Sequence, residues 1–137
     1  MQPLSLPDFD IRIAQDKVFC LIRKKWIVLT PEEWVRQHFL NLMIHHLDYP
    51  KGMIRLEHNL QYFKHQKRSD IVLLRRDSGI FMVVECKAAH VKIDQKALSQ
   101  VAQYNKVLNA QYVALSNGLK HFIWEGSKQL GTFPDYQ

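Results

Sequence analysis

Residues Ile80 to Val84 are apolar at every position, and the run stops abruptly at Glu85, Cys86 and Lys87. An unbroken apolar run of this length is expected of a strand covered on both faces. Side chains alternate along a strand, so Glu85 and Lys87 leave its end on the same side. Charge at the end of a buried strand needs a partner, because unpaired buried charge is expensive. The preceding Arg76-Asp77-Ser78-Gly79 is a turn signal, and Ile71–Leu74 before it is a second apolar run. An antiparallel hairpin centred between Asp77 and Ser78 sets Asp70 opposite Glu85, with Cβ atoms about 5 Å apart.

Two carboxylates at that separation repel unless a cation lies between them. Mg²⁺, or Mn²⁺, takes hard oxygen ligands and keeps several waters. Asp70 and Glu85 are therefore the expected metal ligands, with the backbone carbonyl of Cys86 as another donor. Lys87 projects near the same point, where it can orient a water, help deprotonate it, or stabilise charge developing on a phosphate. The set suits phosphodiester hydrolysis. The competing reading is structural: a Glu-x-Lys triplet is common by chance, and a surface Asp–Lys pair on a hairpin is ordinary.

The rest of the chain supplies a frame. A length of 137 residues suits a single domain with a real core. With 47% hydrophobic and 23% charged residues, the composition is that of a globular protein. Strand-like segments fall at Ile11–Ile13 and Val18–Ile22, after an irregular lead-in with Pro3 and Pro7. Thr30-Pro31-Glu32-Glu33 starts a helix, with Thr30 as cap, Pro31 at the first position and Glu33 placed for a capping box. Helical spacing of Trp34, Val35, Phe39, Leu42 and Met43 carries that helix to about Leu47. A strand follows from Met53 to about Gln61. A second helix fits Asp94–Leu108, ending at Asn109. Strands Gln111–Leu115 and His121–Trp124 flank the hairpin signal Ser116-Asn117-Gly118. The order predicts an α/β fold: a central mixed β-sheet flanked by α-helices, preceded by an N-terminal β-hairpin. One domain, 1–137, is expected, with its core at about 29–125.

The two cysteines, Cys20 and Cys86, both fall in apolar runs and make neither a disulfide framework nor a zinc motif. No signal peptide is recognisable, and no apolar run approaches the ~20 residues of a membrane span. A cytoplasmic protein without membrane association is the expectation. The net charge of +6 favours a polyanionic partner.

Asp70 followed by Glu85-x-Lys87 resembles the PD-(D/E)xK nuclease signature. More closely, the chain is similar to the N-terminal nuclease domain of type I restriction enzyme R subunits. The stretches that carry this are Leu29-Thr30-Pro31-Glu32-Glu33-Trp34-Val35-Arg36, Lys67-Arg68-Ser69-Asp70-Ile71-Val72 and Val84-Glu85-Cys86-Lys87-Ala88. Gln100-x-x-x-Tyr104 and Ser116-Asn117-Gly118 join them, so the resemblance spans about Leu29 to Trp124. It implies a restriction-endonuclease-like core and a metal-dependent deoxyribonuclease. Ser69 stands where the family has proline, which is not a ligand. The R subunit carries a motor after its nuclease domain, whereas no G-x-x-x-x-G-K-[ST] loop occurs in these residues. A stand-alone nuclease, or a subunit that works with a motor or modification subunit, is therefore expected, and a homodimer is compatible. A non-catalytic nucleic-acid-binding or adaptor subunit is the alternative.

Further residues are candidates as well, Glu33, Gln100 and Tyr104 through the resemblance and the others from their own positions. Glu33 matches the helix carboxylate that many such nucleases aim at the metal, against the plainer capping-box role. Glu57, on the strand before Asp70, is the other candidate for the acidic cluster, against a solvated strand position. Gln100 and Tyr104 lie one helical turn apart and share a face, where they would position the site or the nucleic acid. Lys64, Lys67 and Arg68, with Tyr62 and Phe63, form a basic, aromatic stretch suited to phosphate contact and base stacking, or simply a charged loop. The seven histidines show no metal-binding spacing.

Overall fold

The computed structural model describes residues 1–62 and 65–137, and the side chains of these apart from 57–62, 65–69, 104, 107 and 108. The chain opens with strands β1 (Ile13–Ala14), β2 (Lys17–Phe19) and β3 (Trp26–Val28), then helix α1 (Pro31–Asn41). Strands β4 (Ile54–Tyr62), β5 (His65–Leu74) and β6 (Ile80–Cys86) follow, then helix α2 (Gln95–Leu108) and strands β7 (Tyr112–Ser116), β8 (His121–Glu125) and β9 (Lys128–Leu130). β4 to β9 make one sheet in chain order, antiparallel throughout except for the parallel pair β6–β7. Joining β6 to β7 in parallel requires a crossover, and α2 supplies it.

Helix α1 forms where the sequence predicts it. The Thr30 hydroxyl accepts the Glu33 N–H at 3.0 Å, and Pro31 opens the first turn. The helix reaches the predicted length but changes its hydrogen bonding: Leu42–His46 form a π-helical turn, with the Leu47 N–H on the Leu42 carbonyl. Asp94 caps α2 by accepting the Ala97 N–H at 2.9 Å, and Asn109 ends it in a left-handed conformation at φ 55.

The two helices cover opposite faces of the sheet. Val35, Phe39, Leu40 and Met43 pack on Ile71, Leu73, Met82, Val84, Ala114 and Ile123. Val101 of α2 packs on Val113, Leu115 and Trp124. Phe81 to Cys86 are buried, as a strand covered on both faces requires. Among the described residues no helix is long and apolar enough to cross a membrane.

The expected N-terminal hairpin is present as β1 and β2, and Trp26-Ile27-Val28 adds β3 to make a three-stranded antiparallel sheet. The bounds of other elements differ from expectation. β2 ends at Phe19, so Cys20 begins a turn, buried but outside any strand. β5 starts at His65, six residues before the apolar run that signalled it, and β9 adds an edge strand with no apolar pattern. The lead-in is irregular, yet Leu6 is buried in the core against α1. Phe39 lies at the centre of that layer and is fully buried. Phe39→Ala is expected to cost about 3–5 kcal/mol of stability, read from urea unfolding monitored by circular dichroism.

Candidate functional site

Strands β5 and β6 pair through Ile71↔Val84 and then separate, while β6 continues beside β7 to Cys86↔Ser116. The next position along β5 is Asp70, across from Glu85, as the centred hairpin predicts. The register shifts only nearer the turn, at Leu73/Leu74. At the fork the Cys86 N–H has no strand partner on the β5 side, and it donates instead to Asp70 Oδ2 at 2.6 Å. Cys86 thus contributes its N–H here, aiming the carboxylate that the sequence assigns to a metal.

Burial raises the Asp70 pKa to about 7. The Cys86 N–H opposes that rise, the charges of Glu85 and Glu32 add to it, and Arg36 counters them. Burial, reinforced by the Asp70 charge, also pushes the Cys86 thiol well above its ordinary range, so it is no nucleophile. Glu85 is buried. Together with Lys87, Ala97, Gln100, Val101 and Leu115 it lines a cavity of about 40 Å³, with room for a water. Glu85, Lys87 and Gln100 therefore border one cavity, the Glu85 charge acts on Asp70, and Lys87 is exposed.

The loop after Lys87 is held by the turn between β7 and β8. The Lys87 N–H donates to the Ser116 carbonyl at 2.8 Å, and the Asn117 amide donates to the Val91 carbonyl at 2.9 Å. Gly118 sits at φ +85, where an added Cβ would meet Leu4 Cδ2 at 2.8 Å. Only glycine is comfortable there. Ser116-Asn117-Gly118 is thus more than a hairpin signal, because its atoms fix the backbone that carries Lys87.

Helix α1 brings a second group. The Glu33 carboxylate does not close a capping box; it binds Arg36, accepting from Nε at 2.9 Å and from a second guanidinium nitrogen, and it accepts from Gln37 Nε2 at 2.9 Å. Glu32 and Arg36 are the α1 residues whose charges reach Asp70. Val28, Thr30, Glu32, Glu33 and Arg36 line a recess of about 290 Å³. The sequence reading assigned no role to Glu32 or Arg36. Their spacing of four, with Glu33 and Arg36 three apart, was the available signal, because such residues share a helix face.

Other candidates lie partly outside the described residues: Lys64 entirely, and the side chains of Glu57, Lys67, Arg68 and Tyr104. The backbone pairs Leu56↔Ile71 and His58↔Ser69 put Glu57 across from Asp70, and Lys67 and Arg68 lie on β5 rather than in a loop. Among the described residues no three His, Cys, Asp or Glu side chains form a ready metal cluster. Asp70 and Glu85 alone still fit a cation such as Mg²⁺, which is bound through one or two carboxylates and keeps its waters.

The family described as type I restriction enzyme R protein N terminus (HSDR_N) matches residues 31–136. The chain belongs to this family. No curated protein matches it. Among solved structures, it is similar to a fragment of an HsdR subunit of a type I restriction enzyme from Vibrio vulnificus YJ016, at 19% identity and a TM-score of 0.45. That match covers 69% of this chain and 23% of the other, so this R-protein N terminus spans less than a quarter of that chain's length.

The raised Asp70 pKa has a consequence for stability. The folded state holds a proton on Asp70 up to about pH 7, whereas an ordinary carboxyl releases it near 3.8. Between those values the folded state binds the extra proton, so this contribution to stability is complete below pH 3.8 and is lost as pH rises toward 7. Asp70→Asn, which still accepts from Cys86, should melt higher than the parent at pH 8, with the gap closing toward pH 4 in parallel thermal scans. Equal melting at pH 8 would contradict the electrostatic account.

Proposed function

We propose that this domain is a metal-dependent nuclease that hydrolyses DNA phosphodiester bonds, with Asp70, Glu85 and Lys87 as its catalytic group. The observation that carries the reading is the fork of β5 and β6, where like charges crowd a half-buried carboxyl next to a cavity shared by Glu85, Lys87 and Gln100. Membership in the R-protein N-terminal family supports it.

The crowded carboxylates are suited to holding Mg²⁺ or Mn²⁺. Such a cation supplies Lewis-acid charge for the phosphate and a more acidic bound water. Asp70 and Glu85 hold it, and the Cys86 N–H keeps the Asp70 carboxylate aimed. Lys87 orients the attacking water or meets the charge developing on the phosphate. Gln100 positions water or nucleic acid from the helix side. Arg36, tied to Glu33, limits the negative potential at Asp70. DNA is the proposed substrate, and a motor or modification subunit the proposed partner.

Three measurements test this. Lys87→Ala should slow nicking of supercoiled plasmid by about 10²–10³, while DNA affinity in a gel-shift titration stays nearly unchanged, because the contact is made in the transition state. Calorimetry with Mn²⁺ should find a site that disappears in Asp70→Ala. DNA affinity should fall steeply with salt. Absence of cleavage with Mg²⁺, Mn²⁺ and Co²⁺, together with a Lys87→Ala protein that only binds DNA more weakly, would favour the adaptor reading.

A further inference from the structure

Much of the positive charge lies away from the strand fork. Residues 11–28 contain Arg12, Lys17, Arg23, Lys24 and Lys25 against one acid, Asp16, in a chain of net charge +6. The N-terminal sheet arranges several of these in register. Phe19 pairs with Trp26 and donates its N–H to the Arg12 carbonyl at 2.9 Å, so Arg12, Phe19 and Trp26 form one cross-strand row. Ala14, Lys17 and Val28 form the next row on the same face. This face points away from Val18, which is fully buried.

The outer face of a small antiparallel sheet is ordinarily polar. Here Trp26 is 39% exposed and Val28 59% exposed. The Arg12 guanidinium lies 4.3 Å from the Phe19 ring centroid and 5.4 Å from that of Trp26. The face is therefore cationic, aromatic and apolar at once. At its edge, the turn from Cys20 to Lys25 is closed by the Cys20 N–H on the Lys25 carbonyl at 2.9 Å. Lys24 sits in that turn at φ 57, a conformation uncommon for lysine. The Lys24 side chain lies close enough to Lys51 to lower its pKa, with burial adding to the shift. Two amines brought together at an exposed surface make a seat for an anion.

Val28 connects this face to the candidate site, because it also lines the recess with Glu32 and Arg36, whose charges act on Asp70. The chain from Lys25 to Thr30 covers roughly 17 Å when extended. That is about five nucleotides at 3.4 Å per phosphate along one strand.

We propose that the outward face of the N-terminal sheet, with Lys24, Lys25 and Lys51 at its edge and Trp26 and Val28 on its surface, is a second DNA-binding surface that grips the duplex on one side of the cleavage point. The term "cleavage point" rests on the nuclease reading; the binding does not. Charge complementarity selects a polyanion, and the arrangement of the rings selects a duplex. Phe19 and Trp26 meet edge-on at 5.5 Å and Arg12 covers Phe19, so no open pair of aromatic faces awaits an unpaired base. The exposed indole and Val28 instead suit the deoxyribose edge of a groove, flanked by phosphates on the lysines.

The test uses the full chain carrying Asp70→Asn, which removes cleavage, titrated by fluorescence anisotropy against a long duplex and a single strand of equal length. Adding Lys24→Glu and Lys25→Glu should weaken duplex binding about tenfold or more and lower the log–log salt slope by about two. Lys51→Glu alone should lower the slope by about one, and it carries the test if the double variant fails to fold in a thermal scan. Trp26→Ser should weaken binding with the slope unchanged. Unchanged duplex affinity and slope in the lysine variants would overturn the proposal, and so would tighter binding to the single strand. Plasmid nicking by the parent chain is read separately. Cleavage without these binding changes sinks the surface and leaves the nuclease reading standing; binding changes without cleavage do the reverse.

Discussion

The hydrogen bond from the Cys86 N–H to Asp70 exists because β6 serves two neighbours unequally. Beside β7 it pairs in parallel through Cys86↔Ser116, while beside β5 the ladder ends at Ile71↔Val84. A buried backbone N–H left without an acceptor is costly, so the parting of the strands calls for an acceptor at that height. Asp70 meets the need at 2.6 Å. The same contact draws a carboxylate into a half-buried position next to Glu85. The structural solution for the backbone is thereby also the electrostatic problem that a cation would relieve.

This arrangement divides the labour between the two sides of the sheet. α1 and the core around Phe39 hold the strands in place, and α1 also sends Glu32 and Arg36 toward Asp70. α2 brings Gln100 to the cavity with Glu85 and Lys87. The turn Ser116-Asn117-Gly118 then fixes the segment after β6 from the far side. Its grip extends to the start of the chain: the Ser5 N–H donates to the Gly118 carbonyl at 2.7 Å, and His121 bridges the Ser116 hydroxyl and the Ser5 carbonyl.

The hairpin was legible because its two apolar runs and its turn all pointed to one register. The Thr30 and Asp94 caps were legible because short polar side chains before a helical pattern have few other uses. What escaped was short or polar. β3 and β9 have three residues each, too few for a period to show, and the first half of β5 reads His65-Gln66-Lys67-Arg68-Ser69 with no apolar side to announce it. Glu33 illustrates another limit. Its position fitted a capping box, but a buried arginine three residues on is a stronger partner than one amide, and the carboxylate went there. At the site, carboxylate meeting carboxylate across the hairpin followed from register, whereas Glu32 and Arg36 arrive by the packing of α1, which no local pattern encodes.

The parallel pairing of β6 with β7 bears on the order in which the chain assembles. Asp70 and Glu85 belong to one hairpin and can meet through local chain closure. Glu85 and Leu115 become neighbours only after α2 has formed and crossed the sheet. Lengthening the closed loop adds only about 0.6 kcal/mol per doubling, so the long connection through α2 is a modest entropic cost. A chain that has made its hairpin but not its crossover already holds both acidic groups, yet lacks Gln100, the walls given by Val101 and Leu115, and the Ser116 anchor for Lys87. A form with the hairpin but without the crossover would thus carry the acidic pair without the enclosure around it.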